Sequence, residues 1–261
     1  MHRANSILSV ALIAALPTLA SATDSYPTVL ADASQTIRAK TGTQWTIRQT
    51  NDTTAVTRVG LDGSKTQTVL PGRFGLPIVT TRGATDGASL NGSTLILAQV
   101  GRRDRFVAVS GGRSTRIDLS GTFTFDAVSP KGGAIYVTEL VDPDRHLYWV
   151  RAYNLRSHVL GPRFVSKVFN GPQHVEGDAM QGLPVDRMIG PVGQLGSAVT
   201  LTIYAGAKQP FVHALNTANG GAICFDLPAA LAASASKLRL KNDAGTSKVM
   251  LGHQVVFTLT L

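Results

Sequence analysis

The stretch Phe123-Thr124-Phe125-Asp126-Ala127-Val128-Ser129-Pro130-Lys131-Gly132-Gly133-Ala134-Ile135-Tyr136-Val137-Thr138-Glu139 decides the fold, together with Tyr148-Trp149-Val150-Arg151-Ala152-Tyr153-Asn154-Leu155 beyond a polar loop. Three β-rich, alternating runs are separated by a Ser-Pro-x-Gly turn and by Asp142-Pro143-Asp144, which is the pattern of an antiparallel meander. A sheet this small cannot hide both of its faces, so it must lean on neighbours of the same kind.

Weaker copies of this unit occur on both sides. One anchor is a strand followed by a polar turn, in most copies with a small residue inside it: Val56-Thr57-Arg58-Val59, Phe106-Val107-Ala108-Val109, Val150-Arg151-Ala152-Tyr153, Val212-His213-Ala214-Leu215 and Val255-Val256-Phe257-Thr258. A second anchor is an apolar run after a Gly turn, at Gly92 to Leu97, Gly132 to Val137 and Gly196 to Leu201. Gly75-Leu76-Pro77-Ile78 and Gly182-Leu183-Pro184-Val185 echo each other as the starts of equivalent strands. A period of about 44 residues with four short strands per unit is the length of a propeller blade. One longer interval, about 62 residues, holds a blade plus an insertion.

The expectation is therefore an all-β chain, a β-propeller of four-stranded antiparallel blades, five in number. The blades fall at Ile37 to Leu70, Leu76 to Leu119, Thr122 to Val168, Leu183 to Leu227 and Ser236 to Leu261, with the inserted loop near 169–181. Pro228 to Ala233 is the one good helix candidate, with Asp226 near its start. The fifth unit has room for three strands only, which leaves an unpaired edge. Either the N-terminal strand, Tyr26 to Ala31 or Thr36 to Ala39, completes it, or the blade is left open because the natural chain continues.

His2 and Arg3, the apolar run Ile7 to Leu19, and Ala20-Ser21-Ala22 read as a cleavable export signal over residues 1–22. That predicts a secreted protein, extracellular or periplasmic, with one propeller domain over 23–261 and no transmembrane segment after cleavage. Cys224 is the only cysteine, so no internal disulfide is available, and it reads as a small buried hydrophobe. The net charge of +9 suits anionic partners such as wall polymers or lipid headgroups. Its scatter points to solvated surface and to no specific nucleic-acid site, and the densest run, Arg102-Arg103-Asp104-Arg105, contains an acid. In Lys237-Leu238-Arg239-Leu240-Lys241, strand alternation sends cations one way and leucines the other.

Ser129-Pro130-Lys131-Gly132-Gly133-Ala134-Ile135-Tyr136-Val137-Thr138 resembles the Ser-Pro-Asp-Gly-x-x-Leu-Tyr-Val-Thr core of YVTN-type and related WD-repeat-like or TolB-like secreted bacterial β-propellers. Lys131 stands where that pattern has Asp. The resemblance implies the fold; members of such families include binding scaffolds, sugar or lactone enzymes and cofactor enzymes, so it selects no chemistry.

No Gly-x-Ser-x-Gly elbow, P-loop, dinucleotide fingerprint, His-Glu-x-x-His motif or EF-hand loop is present. His174, Glu176 and Asp178 alternate along the inserted loop and could face one divalent metal, although ordinary solvation explains them as well. Asp142-Pro143-Asp144-Arg145-His146 is open to the same two readings. At the channel rim, Asp126, Asp186, Arg187 and Arg82, with Asp86 nearby, are charges on otherwise apolar segments, hence either anchors between blades or ligand-binding residues. Trp45 and Trp149 read as core packing, and His213 and His253 as structural histidines in strands. The functional expectation is a monomeric, non-catalytic binding or scaffold module for a protein, carbohydrate or wall-polymer ligand, with no cofactor assigned. The alternatives are a pore-rim enzyme (hydrolase, lyase or cofactor-dependent dehydrogenase) and adhesion to an anionic cell wall.

Overall fold

The computed structural model describes residues 29–164, 179–190, 198–243 and 246–259. The expected export signal, Gly196, and His174, Glu176 and Asp178 lie outside the described residues.

Short alternating runs joined by glycine turns can pair only with their sequence neighbours, and the strand order follows that rule throughout. The first sheet is β1 (Ser34–Arg38), β2 (Gln44–Gln49), β3 (Thr53–Val59) and β4 (Lys65–Pro71). The second is β5 (Phe74–Gly75), β6 (Thr94–Gln99), β7 (Arg105–Ser110) and β8 (Arg113–Asp118). The third is β9 (Phe123–Val128), β10 (Ala134–Asp142), β11 (Leu147–Asn154) and β12 (Val159–Phe164), with β13 (Met180–Gln181) also on β11. The fourth is β14 (Leu183–Gly190), β15 (Val199–Ala205), β16 (Phe211–Asn216) and β17 (Ala222–Asp226). The fifth is β18 (Leu238–Asp243), β19 (Thr246–Leu251) and β20 (Gln254–Leu259), three strands among the described residues. Every strand pairing is antiparallel, and all but that of β13 with β11 join consecutive strands.

Four apolar clusters join successive sheets. Trp45, Ile47 and Val56 of the first meet Leu95, Leu97 and Val107 of the second. Ile96, Ala108 and Ile117 of the second meet Phe123, Phe125 and Ile135 of the third. Tyr136, Tyr148 and Val150 of the third meet Tyr204, Phe211 and Leu215 of the fourth. Leu201, Ile203 and Val212 of the fourth meet Leu238, Val249 and Leu259 of the fifth. Each sheet is thus a blade that buries its faces against its neighbours, and the fold is a five-bladed β-propeller. The whole of β9 is buried, whereas most of β8 is exposed, so chain order within a blade runs from the inside outward.

The expected anchors fall on equivalent strands. The first set occupies β3, β7, β11, β16 and β20, the third strand of every blade, and the second set occupies β6, β10 and β15. Their Gly turns stack from blade to blade. Gly92 (φ +67°) rests against Thr43, and Gly132 (φ +71°) rests against Thr94. Alongside, Thr41 N donates to Leu90 O (3.4 Å) and Asn91 N to Pro130 O (3.2 Å). Left-handed backbone and absence of a Cβ are both required there, so glycine recurs.

Other expectations need correction. Thr36 to Arg38 belong to β1 in the first blade, while Val29 bridges Pro77 and Leu30 N donates to Leu76 O at 2.8 Å. The described part of the N-terminal segment therefore ties the first two blades together and adds nothing to the fifth. Met180 and Gln181, expected in a loop, extend the outer edge of β11 where β12 leaves it. The helix is a 3-10 helix, Ala229–Lys237, whose N-terminus has no side-chain cap; Asp226 ends β17 instead.

Alternation gives both terminal blades a basic outward face. Arg38 and Arg48 are exposed opposite Trp45 and Ile47, and Arg239 and Lys241 are exposed opposite Leu238 and Leu240. Among the described residues no apolar cluster joins the fifth blade to the first.

Candidate functional site

The charges singled out at the rim converge, and a detour of the second blade brings them together. After β5 the chain leaves β6, forms a small hairpin bridged at Ile78 and Thr85, and returns where Ala88 bridges Leu95. Gly83 (φ +80°) turns its tip, closed by Gly83 N donating to Thr80 O at 3.0 Å. This hairpin reaches across to the fourth blade, where Thr81 N donates to Pro184 O at 2.8 Å.

Neighbouring residues on a strand point to opposite faces, so Asp186 and Arg187 on β14 serve different partners. Arg187 is only 5% exposed; its Nη1 donates to Asp126 Oδ1 at 2.9 Å and its Nη2 to Asp86 Oδ2 at 3.4 Å. One guanidinium thus joins the second, third and fourth blades. On the other face, Asp186 Oδ2 accepts Leu240 N at 2.6 Å, and Asp186 Oδ1 lies 3.6 Å from Arg82 of the hairpin. Arg82 also donates to Leu238 O at 3.0 Å and to Ser236 O, which ties the second and fourth blades to the fifth.

Burial pushes the Asp86 carboxyl above its ordinary range, against the opposing pull of Arg187. Asp186 is raised too, again chiefly by burial. Tyr136, whose hydroxyl donates to Thr217 O at 3.1 Å, is pushed up to about 12 by burial. Three buried atoms here have no hydrogen-bond partner: Asp126 Oδ2, Arg187 Nε and His213 Nε2. The arrangement is an ion-paired lock with residual unmet polarity, and its side chains are spent mainly on one another.

Strand register continues a polar row outward from Arg187 along the fourth blade. Arg187 is opposite Thr202, Thr202 opposite His213, and His213 opposite Cys224. His213 is 4% exposed and packs edge-on to Tyr204, with 6.4 Å between ring centroids. Burial holds its imidazole below the ordinary range. Its Nδ1 is 3.5 Å from Cys224 Sγ, which lies 3.5 Å from Met180 Sδ. Cys224 as a residue is exposed, because β17 is the outer strand of its blade, yet its sulfur is packed between His213 and Met180, and burial pushes the thiol up to about 12. The signal for this cluster was present in the chain: a turn closed by Asn216 N donating to Gly221 O (2.7 Å) fixes a register that sets His213 against Cys224.

The remaining candidates are ordinary. Asp142 Oδ1 accepts Arg145 N at 3.0 Å within a turn. Trp45 is core, but Trp149 is half-buried under the Arg163 guanidinium, 3.7 Å from its ring. His253 is exposed in the turn before β20. Arg102 pairs with Asp104 at 2.7 Å and Arg105 with Asp118 at 3.0 Å, so the densest basic run is largely neutralised.

No protein-family model and no curated protein matches the sequence. Among solved structures the chain is similar to Kuenenia stuttgartiensis hydrazine synthase, with TM-score 0.44 and 12% identity over 81% of this chain and 53% of that one. It is also similar to the Dos1 propeller (TM-score 0.43, 9% identity, 87% and 56% covered) and to TolB from Acinetobacter baumannii (0.35, 9%, 74% and 42%). The chain spans about half the length of these structures. The blade arrangement is read from the strand orders and the four clusters themselves.

Proposed function

We propose that the chain is an exported, non-catalytic β-propeller that works as a monomeric scaffold or binding module. One observation carries this reading: Arg187, Asp126, Asp86, Asp186 and Arg82, the charges best placed for chemistry at the axis, are committed to one another and to backbone groups of the fifth blade, in a network that spans four blades. Groups held this way stabilise a frame and have little capacity left for a substrate. The YVTN-like turn at Ser129 to Thr138 belongs to the same proposal, as does export through residues 1–22.

The test compares the native chain with Arg82→Gln, using thermal melting and chromogenic ester, lactone and glycoside probes. A lower melting midpoint with no turnover by either protein supports the module. Turnover by the native chain that Arg82→Gln abolishes overturns it in favour of a pore-rim enzyme.

A second reading, adhesion to an anionic polymer, draws on the exposed cations Arg38, Arg48, Arg239 and Lys241 of the terminal blades. Binding to soluble polyphosphate that weakens steeply between low and moderate salt supports it; salt-insensitive binding rejects it.

A further inference from the structure

We propose that Cys224, His213 and Met180 form a binding site for a soft monovalent cation, copper(I), where the third and fourth blades meet at their outer edge. The three donors come from three strands, β17, β16 and β13. They are already gathered: the thiol sulfur lies 3.5 Å from His213 Nδ1 and 3.5 Å from Met180 Sδ. With metal–sulfur and metal–nitrogen bonds of about 2.3 Å and about 2.0 Å, a trigonal cation holds its ligands roughly 3.6 to 4.0 Å apart. Both separations from Cys224 Sγ fall within a few tenths of an ångström of that range.

The donor types select the metal. A thiolate and a thioether are soft ligands and imidazole is borderline, a set that suits copper(I); zinc sites use thiolate, imidazole and carboxylate, and take thioether poorly. No carboxylate belongs to this trio, which disfavours hard divalent ions. Charge agrees with this, since a monovalent cation on one thiolate makes a neutral unit beside the buried Tyr204 and Phe211 rings.

The imidazole is prepared for the role. His213 is paired with Cys224 in the β16–β17 register, which sets the ring beside the thiol. Ligation through Nδ1 would put the ring proton on Nε2, which is buried with no hydrogen-bond partner among the described residues, as is Asp126 Oδ2 on the adjacent blade. Access is available, because Cys224 is exposed and Met180 half-buried. Binding exchanges the thiol proton for the metal: the S–H bond breaks, a copper–sulfur bond forms, and one proton passes to solvent with no change of oxidation state.

The test titrates the full-length protein anaerobically with copper(I) in competition with bathocuproine disulfonate, with silver(I) as a redox-inert second probe. The expected result is one equivalent retained, one proton released, and a metal coordinated by two sulfurs and one nitrogen in X-ray absorption. Cys224→Ser should abolish retention. Met180→Leu, which keeps the shape of a half-buried side chain and should leave folding intact, should weaken retention at least about tenfold. The proposal is overturned if the native chain retains no copper(I), if Cys224→Ser retains as much as the native chain, or if Met180→Leu is without effect.

Discussion

Arg187 on β14 and Asp126 on β9 face each other across the boundary between the fourth and third blades, 2.9 Å apart, with both side chains at most 5% exposed. Removing one member of such a pair strands the other charge in a medium that cannot solvate it, at a cost of about 3–5 kcal/mol. Arg187→Met leaves two stranded acids, Asp126 and Asp86, and should show the full effect as a lower urea midpoint with an unchanged slope.

The hairpin tip should behave as a clasp. Arg82 is partly exposed, so its ion pair with Asp186 contributes little, and its bonds to the carbonyls of Leu238 and Ser236 matter more. Arg82→Ala should cost about 1–2 kcal/mol. Hydrogen exchange at Leu240 N, which bonds to Asp186, should quicken before exchange elsewhere in the fifth blade.

Gly132 makes two demands at once, a φ of +71° and room for Thr94 of the preceding blade. Gly132→Ala meets neither and should destabilise by about 1–3 kcal/mol. Gly111 has a similar φ of +56° but open space around it, so Gly111→Ala should cost less. Thermal melts of the two variants give the comparison.

Acid should weaken the fold through His213. Burial sets its folded value below the ordinary 6.5, so on acidification the unfolded chain takes up the proton first. The contribution is fully present above 6.5 and is lost as pH falls from there through the lowered folded value, by at most about 1.4 kcal/mol per pH unit. Asp86 acts oppositely: its folded value is raised above 3.8, so its contribution is present below that value and is lost as pH rises through the folded one. Melting midpoints from pH 8 to pH 5 should fall in the native chain and fall less in His213→Asn.

The blades were legible because their information is local. Short apolar or alternating runs bounded by polar and glycine turns mark β6, β7, β10, β11, β15 and β16, and each such strand pairs with its sequence neighbour. The innermost strands were harder to read: Phe74 to Ala88 carries apolar residues, but most of it detours to bond with distant blades, and nothing local announces that. Asp126, Asp186, Arg187 and Arg82 stood out as charges on apolar segments, yet their pairing partners lie far apart in sequence, so anchor and ligand-binding residue remained two readings of one pattern. His213 and Cys224 each read as structural residues and Met180 carries no signal of its own, so the cluster is not legible in the sequence: only strand register and the β13–β11 pairing make neighbours of the three.

The axial charges lock the blades together. A double-mutant cycle on Asp126→Asn and Arg187→Gln, followed by urea unfolding, measures that directly. The double variant should be more stable than the sum of the single losses implies, by about 2–3 kcal/mol; additivity within about 0.5 kcal/mol would mean that the two charges do not act as a pair.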